Sequence, residues 1–162
     1  MMLYLDNAAT TLKKPLSVYA TLFKSTLFSG GNAGRGGHKM SMDAVRAIVD
    51  TQDLIAQLFN IKKAENIVFT QNATYALNTA ILGTMSNGGH IVVTEMDHNS
   101  VLRPACLPGN YTVVKADKSG YVHAEDVEKA VRKDTKLIVC THASNVWNNS
   151  AGVCDRKNSE KA

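Results

Sequence analysis

Cysteine is scarce in this 162-residue chain: there are three, at positions 106, 140 and 154. An odd number so widely spaced sets up neither a disulfide framework nor a zinc site, and it fits a reducing cytosol. No apolar run approaches the roughly 18–20 residues that a membrane span requires. The opening Met1-Met2-Leu3-Tyr4-Leu5-Asp6 places no basic region ahead of an apolar stretch, so no secretory signal is expected. A basic cluster is missing too. Eighteen Lys+Arg against 14 Asp+Glu leave a formal charge of +4, and across residues 115–136 six basic side chains sit among five acidic ones. Such interleaving describes solvated surface, not the one-sided basic footprint of a nucleic-acid binder. There is no internal repeat.

What is present is globular. Apolar residues make up 44% of the chain and charged residues 20%. A domain of this length buries roughly two-thirds of its unfolded surface, enough for a real core. After a short extended start at Leu3-Tyr4-Leu5, Pro15 opens a helix with Leu16, Tyr19, Ala20 and Phe23 at helical spacing. Five glycines within residues 30–37 make a loop able to adopt positive φ. A longer helix is expected over residues 38–59, with Met42, Val45, Ile48, Val49, Ile55, Leu58 and Phe59 as its apolar stripe. The chain then alternates. Strands are expected at 66–70, 90–94, 111–115 and 136–141, the last being the most apolar. Helices are expected at 73–85, N-capped by Asn72, at 100–107, interrupted by Pro104, and at 124–132, with acids early and bases late. Strands alternating with helices imply an α/β layer on a mostly parallel sheet.

Three strand ends carry polar residues on what would be one edge, the carboxyl edge where open α/β sheets hold ligands. Thr70-Gln71-Asn72-Ala73-Thr74 sits where a strand gives way to a helix. The unpaired N–H groups there suit an anion such as a phosphate on Ala73 and Thr74, or the segment is an ordinary N-cap. In Glu95-Met96-Asp97-His98-Asn99-Ser100, His98 could stack on a flat ligand or move a proton, or the stretch is a polar loop capped by Asn99 or Ser100. In Thr141-His142-Ala143-Ser144-Asn145-Val146, Asn145 can both donate and accept, whereas His142 reads equally as a core residue or a site residue. Arg35 and His38, in the glycine loop, face either an anion or solvent; the loop follows no strand, so it is not a dinucleotide fingerprint. Cys140 reads as a small core residue, and Cys106, between Pro104 and Pro108, has no support as a nucleophile.

Five segments in order resemble the class V aminotransferase family and, within it, the cysteine desulfurases. They are Tyr4-Leu5-Asp6-Asn7-Ala8-Ala9-Thr10-Thr11, the 32–38 loop, Ile67-Val68-Phe69-Thr70-Gln71-Asn72-Ala73-Thr74, residues 94–104, and His142-Ala143-Ser144-Asn145-Val146. The resemblance covers residues 3–146. It implies part of the large domain of a pyridoxal-phosphate-dependent aspartate-aminotransferase-type fold, an α/β fold with a mostly parallel sheet and flanking helices. It also implies a homodimer in the full-length family. The reaction implied takes sulfur from L-cysteine, leaving L-alanine and an enzyme persulfide. By the same resemblance Ala73 and Thr74 would hold the cofactor phosphate. His98 would stack on the pyridine ring and assist proton transfer. Asn145 would contact the ring oxygen or the substrate, and Asn7 and Ala8, with Asp6 and Ala9, would line the substrate pocket. Tyr75 departs from the family, which usually has Glu after Asn-Ala-Thr.

The family's Asp partner of the pyridinium nitrogen, its Schiff-base Lys and its sulfur-accepting Cys all lie beyond the matched residues. Lys157 and Lys161 fall in a stretch without family motif, 147–162, which has five charges and no apolar period. Back-translated with suitable synonymous codons and read with its first base skipped, this stretch becomes Gly-Thr-Ile-Gln-Pro-Val-Cys-Ala-Ile-Glu-Arg-Ile-Ala-Lys-Lys. That looks like the family's continuation, a loop and then an amphipathic helix. The expectation is therefore residues 1–146 from the family domain, residues 147–162 translated out of frame, and no turnover by this chain alone. The alternatives are a non-catalytic fragment that binds pyridoxal phosphate or phosphate, and a chain that pairs with a second polypeptide supplying the lysine half. The cytoplasm is the expected location, with neither membrane nor nucleic acid as partner.

Overall fold

The computed structural model describes residues 3–8 and 10–144. The chain divides into two compact units, Met1–Phe69 and Thr70–Ala162. Asn145 and residues 147–162, expected to be out of frame and including Lys157 and Lys161, lie outside the described residues. No helix among the described residues is long and apolar enough to cross a membrane.

In the first unit, α1 spans Leu16–Phe28 and α2 spans Lys39–Phe59. Pro15 stands one place outside α1, at the N-cap, where its fixed φ of −53° leads into the helix. His38 caps α2: its Nδ1 accepts from Ser41 N–H at 3.4 Å. The buried Ser41 hydroxyl donates to Arg35 C=O at 2.8 Å and pins the glycine loop to the helix start. Gly31 is required at that contact, because a Cβ there would lie 2.3 Å from the Met40 carbonyl carbon. Asn60 ends α2 in the left-handed region, φ 53°, donating to Ala56 and Gln57 C=O. The expected α2 stripe forms but stays largely uncovered. Only Ser41 and Ala56 of α2 are buried, and Leu58 and Phe59 are exposed.

The strand expected at 66–70 does not form. Ala64–Asn66 is a single 3-10 turn, and residues 67–70 run extended without a ladder partner among the described residues. Gln52 Nε2 donates to Ile67 C=O at 2.7 Å in place of a neighbouring strand, and Val68 is 80% exposed. β-branched residues favour strands when a pleated, half-buried surface receives them, and Val68 has none.

In the second unit, α3 (Ala73–Thr84), β1 (His90–Thr94), α4 (Asn99–Cys106), β2 (Tyr111–Val114), α5 (Ala124–Ala130) and β3 (Thr135–Ile138) alternate. The three strands form a parallel sheet in the order β2-β1-β3. All five residues of β1 are buried, and their period-two alternation feeds two cores. Ile91 and Val93 pack with Ile81 and Met85 of the α3 side and Val101 and Ala105 of α4. Val92 points the other way, into a cluster with Val114, Val122 and Val127. Each such side chain contributes roughly 1.5–3 kcal/mol by leaving water. Cys140 packs against the second cluster, as expected, and Cys106 is exposed.

Several elements differ from expectation. α4 runs through Pro104, whose buried ring joins the core while the helix forgoes one hydrogen bond. β2 stops at Val114, one residue early. α5 stops at Ala130 because Val131 turns extended and Arg132 N–H donates to Thr135 Oγ1 at 2.7 Å instead of continuing the helix. β3 is shorter than 136–141 and is not the most buried strand. It has a neighbour on one side only among the described residues, and its residues alternate between half-buried and exposed.

Candidate functional site at the carboxyl edge of the sheet

β1 delivers the chain to this edge at Thr94, and α4 leaves from it. A short turn joins Thr84 to His90, so α3 runs back along the sheet and presents its N-terminus at the same edge; α3 and α4 pack on each other.

At the start of α3, Asn72 Oδ1 accepts from Tyr75 N–H at 2.8 Å, and the Asn72 carbonyl accepts from Ala76 N–H and from Thr70 Oγ1. The cap is therefore real, but it uses the third N–H of the helix. The first two, on Ala73 and Thr74, have no intrahelical acceptor and are exposed at the positive end of the helix dipole. The N-cap reading and the anion-site reading thus describe one arrangement. Tyr75 takes part through its backbone, so replacing the family's Glu leaves the turn intact; its side chain is 58% exposed.

His98 is itself the N-cap of α4, in place of Asn99 or Ser100. Its Nδ1 accepts from Ser100 N–H at 3.2 Å and lies 2.9 Å from Ser100 Oγ. A backbone N–H only donates, so Nδ1 holds a lone pair and the neutral ring carries its proton on Nε2. The exposed ring has no protein partner for Nε2 among the described residues. The histidine therefore presents an N–H donor outward, with its orientation fixed from behind.

Two side chains that sequence reading quoted without a role complete this edge. Asp97 is 5% exposed. Its Oδ2 accepts from Thr94 N–H at 2.7 Å and from Thr94 Oγ1 at 3.0 Å, and its Oδ1 accepts from Thr141 Oγ1 at 2.6 Å. The signal was a carboxylate three residues past a strand-end threonine, which can fold back on that residue's N–H. Glu95 is engaged as well: Lys115 Nζ at 2.9 Å and then Ala116 N–H hold its carboxyl below the usual carboxylate range. It seals the β1–β2 edge.

The other expected residues lie in the first unit or past β3. Asn7 and Ala8 sit in an exposed turn of the first unit, where Thr10 N–H donates to Asp6 C=O. Arg35 and His38 also belong to that unit, and His38 is accounted for by its cap. His142 is exposed, so the core reading fails for it. Asn145 lies outside the described residues.

A relative from Aeropyrum pernix described as a probable cysteine desulfurase is 35% identical over 152 residues, covering 88% of this chain and 36% of its own. The cysteine desulfurase IscS of Dictyoglomus turgidum is 34% identical over 151 residues, covering 88% and 37%. Among solved structures, a NifS-like protein superposes with a TM-score of 0.81 at 25% identity over 90% of this chain and 41% of that one. SspA in complex with cysteine superposes with a TM-score of 0.79 at 27% identity, covering 88% and 42%. The chain thus spans about two fifths of the length of these relatives. The family described as Aminotransferase class-V matches residues 3–155, nearly the whole sequence, and the chain belongs to that family.

Proposed function

We propose that this chain carries the phosphate-holding and ring-facing elements of a pyridoxal-phosphate-dependent cysteine desulfurase. The observation that carries the reading is the pairing at one sheet edge of the two open N–H groups of α3 with a histidine whose Nδ1 is satisfied and whose Nε2 faces outward. The donor set fits the group. Ala73 and Thr74 N–H and the helix dipole suit a dianionic phosphate, and an exposed imidazole fixed at one nitrogen suits a flat aromatic ring. Pyridoxal phosphate, when bound, supplies an electron sink for bonds at the α and β carbons of an amino acid.

The chain's own residues would then act as follows. Ala73 and Thr74 bind the phosphate. His98 stacks on the ring and holds or delivers a proton at Nε2. Asn145 contacts the ring oxygen or the substrate, and Asn7 and Ala8 line the pocket for L-cysteine. By resemblance the family's covalent lysine lies beyond the matched residues 3–155, so these residues tested by themselves are expected to bind the cofactor without turning over. A homodimer and a cytoplasmic setting complete the reading for the family-length enzyme.

The test is a titration of the purified 162-residue chain with pyridoxal phosphate and, separately, with pyridoxal, followed by absorbance and protein fluorescence. Saturable binding that requires the phosphate supports the reading. No binding, or equal binding of both compounds, overturns it. Formation of alanine and sulfide from L-cysteine at enzymatic rates would overturn the expectation of no turnover.

A further inference from the structure

His98 stands between two anchors. On its C-terminal side its carbonyl accepts from Val101 and Leu102 N–H at 2.8 and 3.1 Å and starts α4. On its N-terminal side stands Asp97, whose own N–H closes the turn on Thr94 C=O at 3.1 Å. The Asp97 carboxylate then reaches in two directions, back to Thr94 at the end of β1 and across to Thr141, past the end of β3. Thr94 is buried, Thr141 is half-buried, and no buried side-chain polar atom among the described residues lacks a partner. The Asp97–Thr141 bond, 2.6 Å long, joins the His98 turn to the segment after β3. That segment leads within four residues to Asn145.

We propose that Asp97 and Thr141 are positioning residues: their buried carboxylate–hydroxyl clamp fixes the turn that presents His98 and ties it to the chain leading to Asn145. The inference rests on His98 as the ring-facing group of the proposed function. A carboxylate that served only solubility or surface charge would face water. This one has both oxygens engaged, by donors from two different strand ends. A hydrogen bond to a charged acceptor is among the stronger ones, so the clamp resists tilting of the turn.

Thr141→Val removes the hydroxyl at nearly constant volume, and Thr141→Ser restores it. In 15N-labelled 162-residue chain, long-range 15N–1H correlation reads the His98 ring nitrogens, and hydrogen exchange reads the Thr94 amide. Thr141→Val is expected to shift or broaden the His98 ring resonances and to speed Thr94 exchange on the order of tenfold. Amide dispersion of the sheet should be retained, and Thr141→Ser should return both signals. If Thr141→Val unfolds the chain, Asp97→Asn, which replaces one accepting oxygen by a donor, decides by the same readouts. Unchanged His98 resonances and Thr94 exchange in a folded variant overturn the clamp. Pyridoxal phosphate titration of the same samples separates the two readings. Displacement of His98 in a parent that binds no cofactor retains the clamp and removes the functional reading. Binding by the parent with His98 undisturbed in Thr141→Val does the reverse.

Discussion

His90 Nδ1 lies 2.8 Å from Thr135 Oγ1 at the start of β3, while its Nε2 lies 2.9 Å from Thr112 Oγ1 in β2. One fully buried ring therefore bridges all three strands at the edge opposite His98. Burial, and after it the Arg132 guanidinium, lower its pKa from 6.5, against an opposing contribution from Asp134. The ring is neutral in the fold, and charging it is disfavoured there. Its contribution to stability is complete above pH 6.5, the unfolded value, and is lost as pH falls through the lower folded value. Thermal unfolding between pH 8 and pH 4 should show a melting temperature that declines below about pH 6.5. His90→Gln, which hydrogen-bonds without titrating, should melt lower at pH 8 but lose less between pH 7 and pH 5. A parallel decline in the two proteins would show that other groups govern the acid response.

Ile91 and Val68 make an informative pair, since both were expected in strands. Ile91 is 0% exposed between α3 and α4, and Val68 is 80% exposed. Ile91→Ala should cost about 2–5 kcal/mol, because the close-packed neighbours relax only partly into the space. Val68→Ala should stay within about 0.5 kcal/mol. Urea unfolding of both variants checks this. A large loss at Val68 would mean that residues 66–70 form the buried strand that their composition suggested.

The contrast between those residues shows what the sequence made legible. His90–Thr94 carries the apolar run Ile91-Val92-Val93 and follows a glycine turn, so its strand could be read directly. Residues 66–70 look nearly the same locally. What separates them is the presence or absence of a neighbouring strand, a non-local fact that no window of sequence contains. The candidate site followed the same rule. The Asn72 cap and the place of Ala73 and Thr74 in the first turn of α3 were legible because capping chemistry is local. The Asp97–Thr141 bond spans 44 residues and stayed hidden. The histidine caps at 38 and 98 were hidden for a different reason: imidazole is an uncommon cap, and the usual candidates stood beside it.

The composition of residues 147–162 carries a prediction at the level of nucleic acid. The family match ends at residue 155, inside this stretch. We propose that the coding frame slips near Val146. Read in all three frames from that codon, the coding sequence should continue in a shifted frame with a loop, an amphipathic helix and, further on, an Asp and a Lys flanked by small residues. Shifted frames that close within a few codons would overturn this.

The start of α3 separates helix stability from anion binding. Asn72 Oδ1 spends its hydrogen bond on Tyr75 N–H and leaves the Ala73 and Thr74 N–H groups for a ligand. Asn72→Ala should therefore destabilise the chain by about 1 kcal/mol, the usual worth of a cap, while affecting pyridoxal phosphate affinity only through fraying of the first turn. Thr74→Pro acts in the opposite sense. Proline is tolerated in the first turn, where the N–H makes no intrahelical bond, so stability should change little. It deletes one of the two donors proposed to hold the phosphate, and loss of a charge-assisted hydrogen bond worth about 1.5–3 kcal/mol should weaken binding by at least tenfold. Denaturant curves and cofactor titrations on both variants give a two-by-two outcome. If Thr74→Pro binds as tightly as the parent, the first turn of α3 is only the capped helix end that Asn72 already explains.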